Sequence, residues 1–110
     1  MATELPRHAV EKDYYAILGL ARSTADLREI KAAYRVAAKE LHPDRNRGQD
    51  TTAQFQIVQE AYSVLSVPSL RGAYDHQRNA VRLQAERAAA QRRHLERARE
   101  RARVAEVARQ

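Results

Sequence analysis

Pro43 stands between two stretches whose apolar residues recur with helical spacing. Proline has no amide hydrogen and disfavours helical backbone at the residue before it. A helix arriving through Leu41 must therefore stop at or near His42. The upstream stretch places Ile30, Ala33, Tyr34, Ala37 and Leu41 on one face. The downstream stretch does the same with Phe55, Val58, Ala61, Tyr62 and Leu65. Two such helices joined by a short polar loop bury both faces by folding back on each other, which predicts an antiparallel helical hairpin. Its tip carries His42, Pro43 and Asp44, with Gly48 and Asp50 in the segment that follows. Lys31, Arg35 and Lys39 recur every four residues and form a basic stripe on another face of the first helix.

The flanking residues extend this helical pattern. Met1 to Lys12 shows no periodicity and is expected to be a mobile lead-in. Asp13 suits the N-cap of a short helix through Leu18, which Gly19 stops. Ala21 to Ala25 reads as a polar connector. Asp26 and Glu29 have capping-box spacing. Thr51 or Thr52 is expected to cap the downstream hairpin helix. Val67-Pro68-Ser69 breaks that helix, and Pro68 suits the first turn of a further short helix through Leu70, Ala73 and Tyr74. No stretch alternates with period two, so the expected class is all-α.

From Asn79 to Gln110 the chain is rich in Ala, Arg, Glu and Gln and has no Gly or Pro. Helix propensity there is high. Arg82/Glu86, Arg92/Glu96, Glu96/Arg99 and Glu100/Arg103 have the spacing of supporting pairs. The apolar seam of Val81, Ala88, Leu95, Ala98, Ala102 and Ala105 is thin. A long, mostly solvated helix is expected, and the thin seam argues for a monomer. From Ala80 onward nine Arg and four Glu give 9 − 4 = +5 of the formal net charge of +6. A basic helix of this kind is a solvated helix, a nucleic-acid or ribosome contact, or a partner for another helix.

Several classes of function are disfavoured. With no cysteine, disulfide frameworks and thiolate metal sites are excluded. His8, His42, His76 and His94 lack ligand spacing, so neither a metal nor a cofactor is expected. No apolar run approaches the ~20 residues that span a bilayer, and the N-terminus lacks an apolar signal core. The expected location is intracellular, cytoplasmic or nuclear. No nucleophile or second carboxylate accompanies His42 and Asp44, so catalysis by the chain itself is not expected.

Five blocks together resemble a J-domain, the module of the DnaJ co-chaperone family. They are Asp13 to Leu20, Glu29 to Arg35, His42 to Asn46, Phe55 to Leu65 and Arg71 to Asp75, in family order and at nearly family spacing. The resemblance implies a four-helix J-domain over residues 13–77 with a central antiparallel hairpin. Residues 1–12 precede it, and a long basic C-terminal helix over residues 78–110 follows. It also implies that the chain binds a 70-kDa heat-shock chaperone of the DnaK type and stimulates that partner's ATP hydrolysis. Carried over residue by residue, the partner-binding positions are His42, Pro43, Asp44, Tyr34, Lys31 and Arg35, with Lys39, Arg45 and Asn46 in support. The other expectation is a basic nucleic-acid- or ribosome-associated module that uses the J-domain as a scaffold.

The chain departs from the common family pattern in several places. Ala32 and Val36 stand where lysine or another basic residue is frequent, and Glu40 reverses a frequent charge. Ala37 replaces a usual leucine, which thins the core. Val67 and Leu70 replace a usual acid and lysine, which is expected to loosen the fourth helix. The connector before Asp26 is one residue longer than in common members. Beyond Asp75 there is no Gly/Phe-rich linker and no zinc-binding cysteine cluster, as expected of a J-domain-only protein or a fragment of a longer one.

Overall fold

A computed structural model describes residues 4–21 and 25–110. Among them are four α-helices and no strand: α1 Tyr14–Ile17, α2 Leu27–Glu40, α3 Thr52–Leu65 and α4 Pro68–Arg109. The chain divides into two compact units, Met1–His76 and Gln77–Gln110.

Local chemistry sets the helix ends. Asp13 accepts the Ala16 N–H at 3.1 Å and caps α1. Gly19 closes it with a φ of 73°, a conformation that disfavours any side chain. The Gly19 N–H then reaches the Ala16 carbonyl and the Leu20 N–H the Tyr15 carbonyl, a Schellman closure. Asp26 caps α2 by accepting the Glu29 N–H at 2.9 Å. At α3 the expected threonine cap is replaced. Asp50 accepts the Thr52 N–H at 3.0 Å, and Thr51 makes no cap bond. The Thr51 hydroxyl is drawn away to the Leu41 carbonyl at 2.6 Å.

In the first unit α3 is central, packing against both α1 and α2. Two contacts make α2 and α3 antiparallel: Leu41 meets Thr51 near the tip, and Tyr34 stacks on Tyr62 farther down. The core holds Tyr14, Tyr15, Leu18, Ile30, Val58, Ala61, Val64, Leu65, Leu70 and Tyr74. Burying a side chain such as Ile30 stabilises by about 1.5–3 kcal/mol. The Tyr14 and Tyr74 rings stack with centroids 4.7 Å apart.

The residues before α1 are more structured than a mobile lead-in. Ala9–Glu11 forms a 3-10 turn, Ala9 is buried, and Leu5 packs against the core. A turn of three residues is too short to show periodicity. The Tyr74 hydroxyl secures this segment by donating to the Lys12 carbonyl while accepting the Tyr14 N–H. Met1 to Thr3, and residues 22–24 of the expected connector with its extra residue, lie outside the described residues.

At the start of the fourth helix Leu70 is buried and joins the core. The short helix expected through Tyr74 and the long basic helix after it are one hydrogen-bonded element, Pro68–Arg109. No Gly or Pro occurs between Gly72 and Gln110 to interrupt it.

The second unit is helical to Arg109 and exposed along almost its whole length. Arg82–Glu86 and Glu100–Arg103 pair as expected, at 2.9 and 2.6 Å. Arg109 also meets Glu106 at 3.4 Å. Arg92, Glu96 and Arg99 have no ion pair among the described residues.

Candidate functional site

Where α2 ends, the Glu40 and Leu41 carbonyls lie past the last helical acceptors, and the His42 carbonyl beyond them accepts the Arg45 N–H at 3.0 Å. Loop side chains reach all three. The Asn46 side-chain amide donates to the Glu40 carbonyl at 2.7 Å and to the His42 carbonyl at 2.9 Å. Thr51 donates to the Leu41 carbonyl between them. The turn is therefore tied to α2 from inside, and Pro43–Arg45 forms one 3-10 turn with Pro43 at its first position.

His42 adds a further constraint. Its Nδ1 accepts the Asp44 N–H at 3.2 Å. That nitrogen must then be unprotonated, which puts the imidazole proton on Nε2. The Asp44 carboxylate lies 3.7 Å from the same Nδ1, an ion pair only if that nitrogen carries a proton. The two contacts are alternatives, and the shorter is the hydrogen bond. Asp44 is left as an acceptor in solvent, its side chain 84% exposed against 59% for His42.

Not all the sequence-predicted site residues meet. Tyr34, Arg35, Lys39, His42 and Arg45 line one open groove of about 620 Å³, with Val36 and Ala38 as its apolar part. Lys31 is exposed on α2 but is not among the lining residues. Pro43 shares a second groove of about 330 Å³ with Leu41, Thr51 and Phe55, and His42 borders both. Asp44 lines neither. Asn46 is occupied in holding the turn. Tyr34 is both core and surface: its ring stacks on Tyr62 with centroids 4.3 Å apart, and it still reaches the groove.

Val36, noted in the sequence as a missing positive charge, is 57% exposed. It also borders a third groove of about 440 Å³, with Ile17, Ala33, Ala37 and Glu40. Ala37 thus leaves a depression between α1 and α2 where a larger side chain would add bulk. The role of Thr51 had no local signal in the sequence, because its partner Leu41 lies across the loop.

A second polar network braces the base of the hairpin. The Tyr14 hydroxyl donates to Glu60 at 2.6 Å, and Lys12 donates to the same carboxylate oxygen at 3.0 Å. Burial alone would push Glu60 up, but these hydrogen bonds and the Lys12 charge outweigh it and hold Glu60 below its ordinary value. Burial and then the Glu60 hydrogen bond push the Tyr14 phenol well above its usual range. Arg71 lies over the Tyr15 ring and donates to its hydroxyl at 3.0 Å and to the Ala25 carbonyl at 2.5 Å. The Tyr15 hydroxyl donates to Asp75 at 2.8 Å. These contacts position the hairpin and leave its tip exposed.

A family model for the DnaJ domain matches residues 13–75, more than half of the chain. The chain is 52% identical over 65 residues to the chaperone protein DnaJ of Deinococcus proteolyticus, covering 58% of this chain and 21% of that protein. It is 49% identical over 72 residues to the chaperone protein DnaJ of Maricaulis maris, covering 64% and 18%. With the chaperone protein DnaJ of Enterococcus faecalis it shares 49% over 67 residues, covering 61% and 17%. The matched part thus spans about a fifth of the length of these curated relatives.

Proposed function

The chain belongs to the DnaJ domain family, and we propose that it is a J-domain co-chaperone that binds a DnaK-type heat-shock chaperone and stimulates its ATP hydrolysis. One observation carries this most directly. A clamped His-Pro-Asp turn presents an exposed carboxylate beside the exposed cations of α2.

A co-chaperone accelerates hydrolysis in its partner by binding one of the partner's conformations better than another. Asp44 is a preorganised acceptor for an arginine, because Pro43, Asn46 and His42 hold its backbone before binding. Lys31, Arg35 and Lys39 would steer encounter with an acidic surface and fix orientation. Tyr34, Arg45 and Val36 would complete the contact, and Val36 would favour an apolar group opposite it.

The test is a steady-state ATPase assay of a DnaK-type chaperone with the full chain added. Wild type should raise the rate, and Asp44→Asn should not. If several such chaperones fail to respond to wild type, the proposal is wrong.

A further inference from the structure

The charge of this chain is concentrated in the second unit. Residues 77–110 carry ten Arg and four Glu, 10 − 4 = +6, which equals the net charge of the whole chain. Three of the four acids are already engaged locally, Glu86 by Arg82, Glu100 by Arg103 and Glu106 by Arg109. The side chains of Arg87, Arg92, Arg93, Arg97, Arg99 and Arg101 have no hydrogen bond or ion pair among the described residues, and all are exposed. The acid left over among them is Glu96. This middle stretch therefore presents a dense array of uncompensated guanidinium groups on a helix.

Their placement has a pattern. Arg93, Arg97 and Arg101 recur every four residues and form one row along the helix. Arg92 and Arg99, seven apart, form a second row. Between the rows on one side lies a seam of Leu95, Ala98 and Ala102. We propose that this helix binds the sugar–phosphate backbone of a nucleic acid, the two arginine rows contacting successive phosphates.

Other occupants fit less well. In a heptad built on Val81, Ala88, Leu95 and Ala102, the flanking positions include Arg87, Arg92, Arg99 and Arg101. Like charges would then face each other in a pair of identical helices. An interfacial membrane helix needs Leu, Phe or Trp along its buried face, and this seam is mostly Ala. A phosphate backbone needs neither a core nor bulky anchors. It needs planar, permanently charged donors, and guanidinium groups fit phosphate oxygens in bidentate fashion. One side-chain type repeated along the helix matches a repeating phosphate backbone rather than a particular order of bases, so the contact should be independent of sequence.

The test uses the full chain and a fluorescent single-stranded RNA of about 20 nucleotides, followed by anisotropy between about 50 and 200 mM salt. Affinity should fall steeply across that range, and a duplex DNA probe of the same length should bind with a similar dependence. Each arginine engaged adds about 0.7 to the log–log salt slope on a single strand. Arg93→Gln with Arg97→Gln and Arg101→Gln should therefore lower that slope by about 2. Glu96→Gln should tighten binding several-fold at low salt. Glutamine keeps helix propensity, so circular dichroism should be unchanged. Three results would overturn the proposal: no binding at low salt, a slope unaffected by the triple variant, or displacement of the RNA by phosphatidylserine vesicles at equal phosphate. The proposal is independent of chaperone stimulation, which the triple variant should retain.

Discussion

His42 accepts the backbone N–H of Asp44 on its Nδ1 nitrogen at 3.2 Å, so the first residue of the turn holds the third. The contact joins two exposed residues and buries nothing. Its effect is to restrict where the Asp44 carboxylate can point.

His42→Gln and Asp44→Asn should each abolish stimulation of a partner chaperone while leaving helical content unchanged. Both side chains are largely solvated, and surface changes usually stay within about 0.5 kcal/mol. ATPase rates and far-ultraviolet circular dichroism check this together. Normal stimulation by either variant would remove the turn from the contact.

Lys31→Glu combined with Arg35→Glu should slow association with the partner and flatten its dependence on salt, with little change in melting temperature. Both residues are exposed, and their charge acts mainly on encounter. Stopped-flow association at several ionic strengths measures it. An unchanged rate would point to a docking face that avoids α2.

Asn46→Ala should behave differently from Asp44→Asn. It removes both donors that tie the Glu40 and His42 carbonyls to the loop. The expected cost is about 1 kcal/mol or somewhat more, which lowers the melting temperature by several degrees in a domain of this size. Stimulation should fall as well, because the turn loses its fixed geometry. An unshifted melting temperature would show that the clamp is dispensable.

Tyr74→Phe keeps the ring stacked on Tyr14 but deletes the hydroxyl shared by the Tyr14 N–H and the Lys12 carbonyl. A buried N–H then loses its partner, at a cost of about 1–3 kcal/mol. Urea denaturation should show a lower midpoint with an unchanged slope. A midpoint equal to wild type would mean that water replaces the hydroxyl.

Stability should decline at both ends of the pH scale through Tyr14 and Glu60, the phenol because it is buried and bonded to Glu60, the carboxylate because Tyr14 and Lys12 hold it ionised. Glu60 titrates lower in the folded chain than its ordinary value. Its contribution is therefore present above that ordinary value and is lost as pH falls through the lower, folded one. Tyr14 titrates higher when folded. Its contribution is present below the ordinary tyrosine value of about 10 and is lost as pH rises beyond it. Melting curves against pH should show Glu60→Gln flattening the acid arm and Tyr14→Phe the alkaline arm. Arms identical to wild type would place the linkage elsewhere.

The hairpin and its tip were legible in the sequence because their causes are local. Pro43 ends α2 whatever surrounds it, and the spacing of Ile30, Tyr34, Val58 and Tyr62 selects the buried faces. Asp13, Gly19 and Asp26 act on amides and carbonyls only a few residues away. The basic stripe of α2 follows from a four-residue repeat alone.

Other features depended on partners distant in the chain. Ala9 and Lys12 look like an unstructured lead-in until Tyr74 and Glu60 are brought beside them. Thr51 has the chemistry of a cap, but the Leu41 carbonyl arriving across the loop takes its hydroxyl and leaves the cap to Asp50. Asn46 reads as one more polar loop residue until two carbonyls at the end of α2 converge on its amide. In each case a side chain has a choice of hydrogen-bond partners, and a sequence shows only the local ones. Closure of the hairpin decides which carbonyl or carboxylate lies within 3 Å or so, and burial then makes an unpaired alternative too costly to persist.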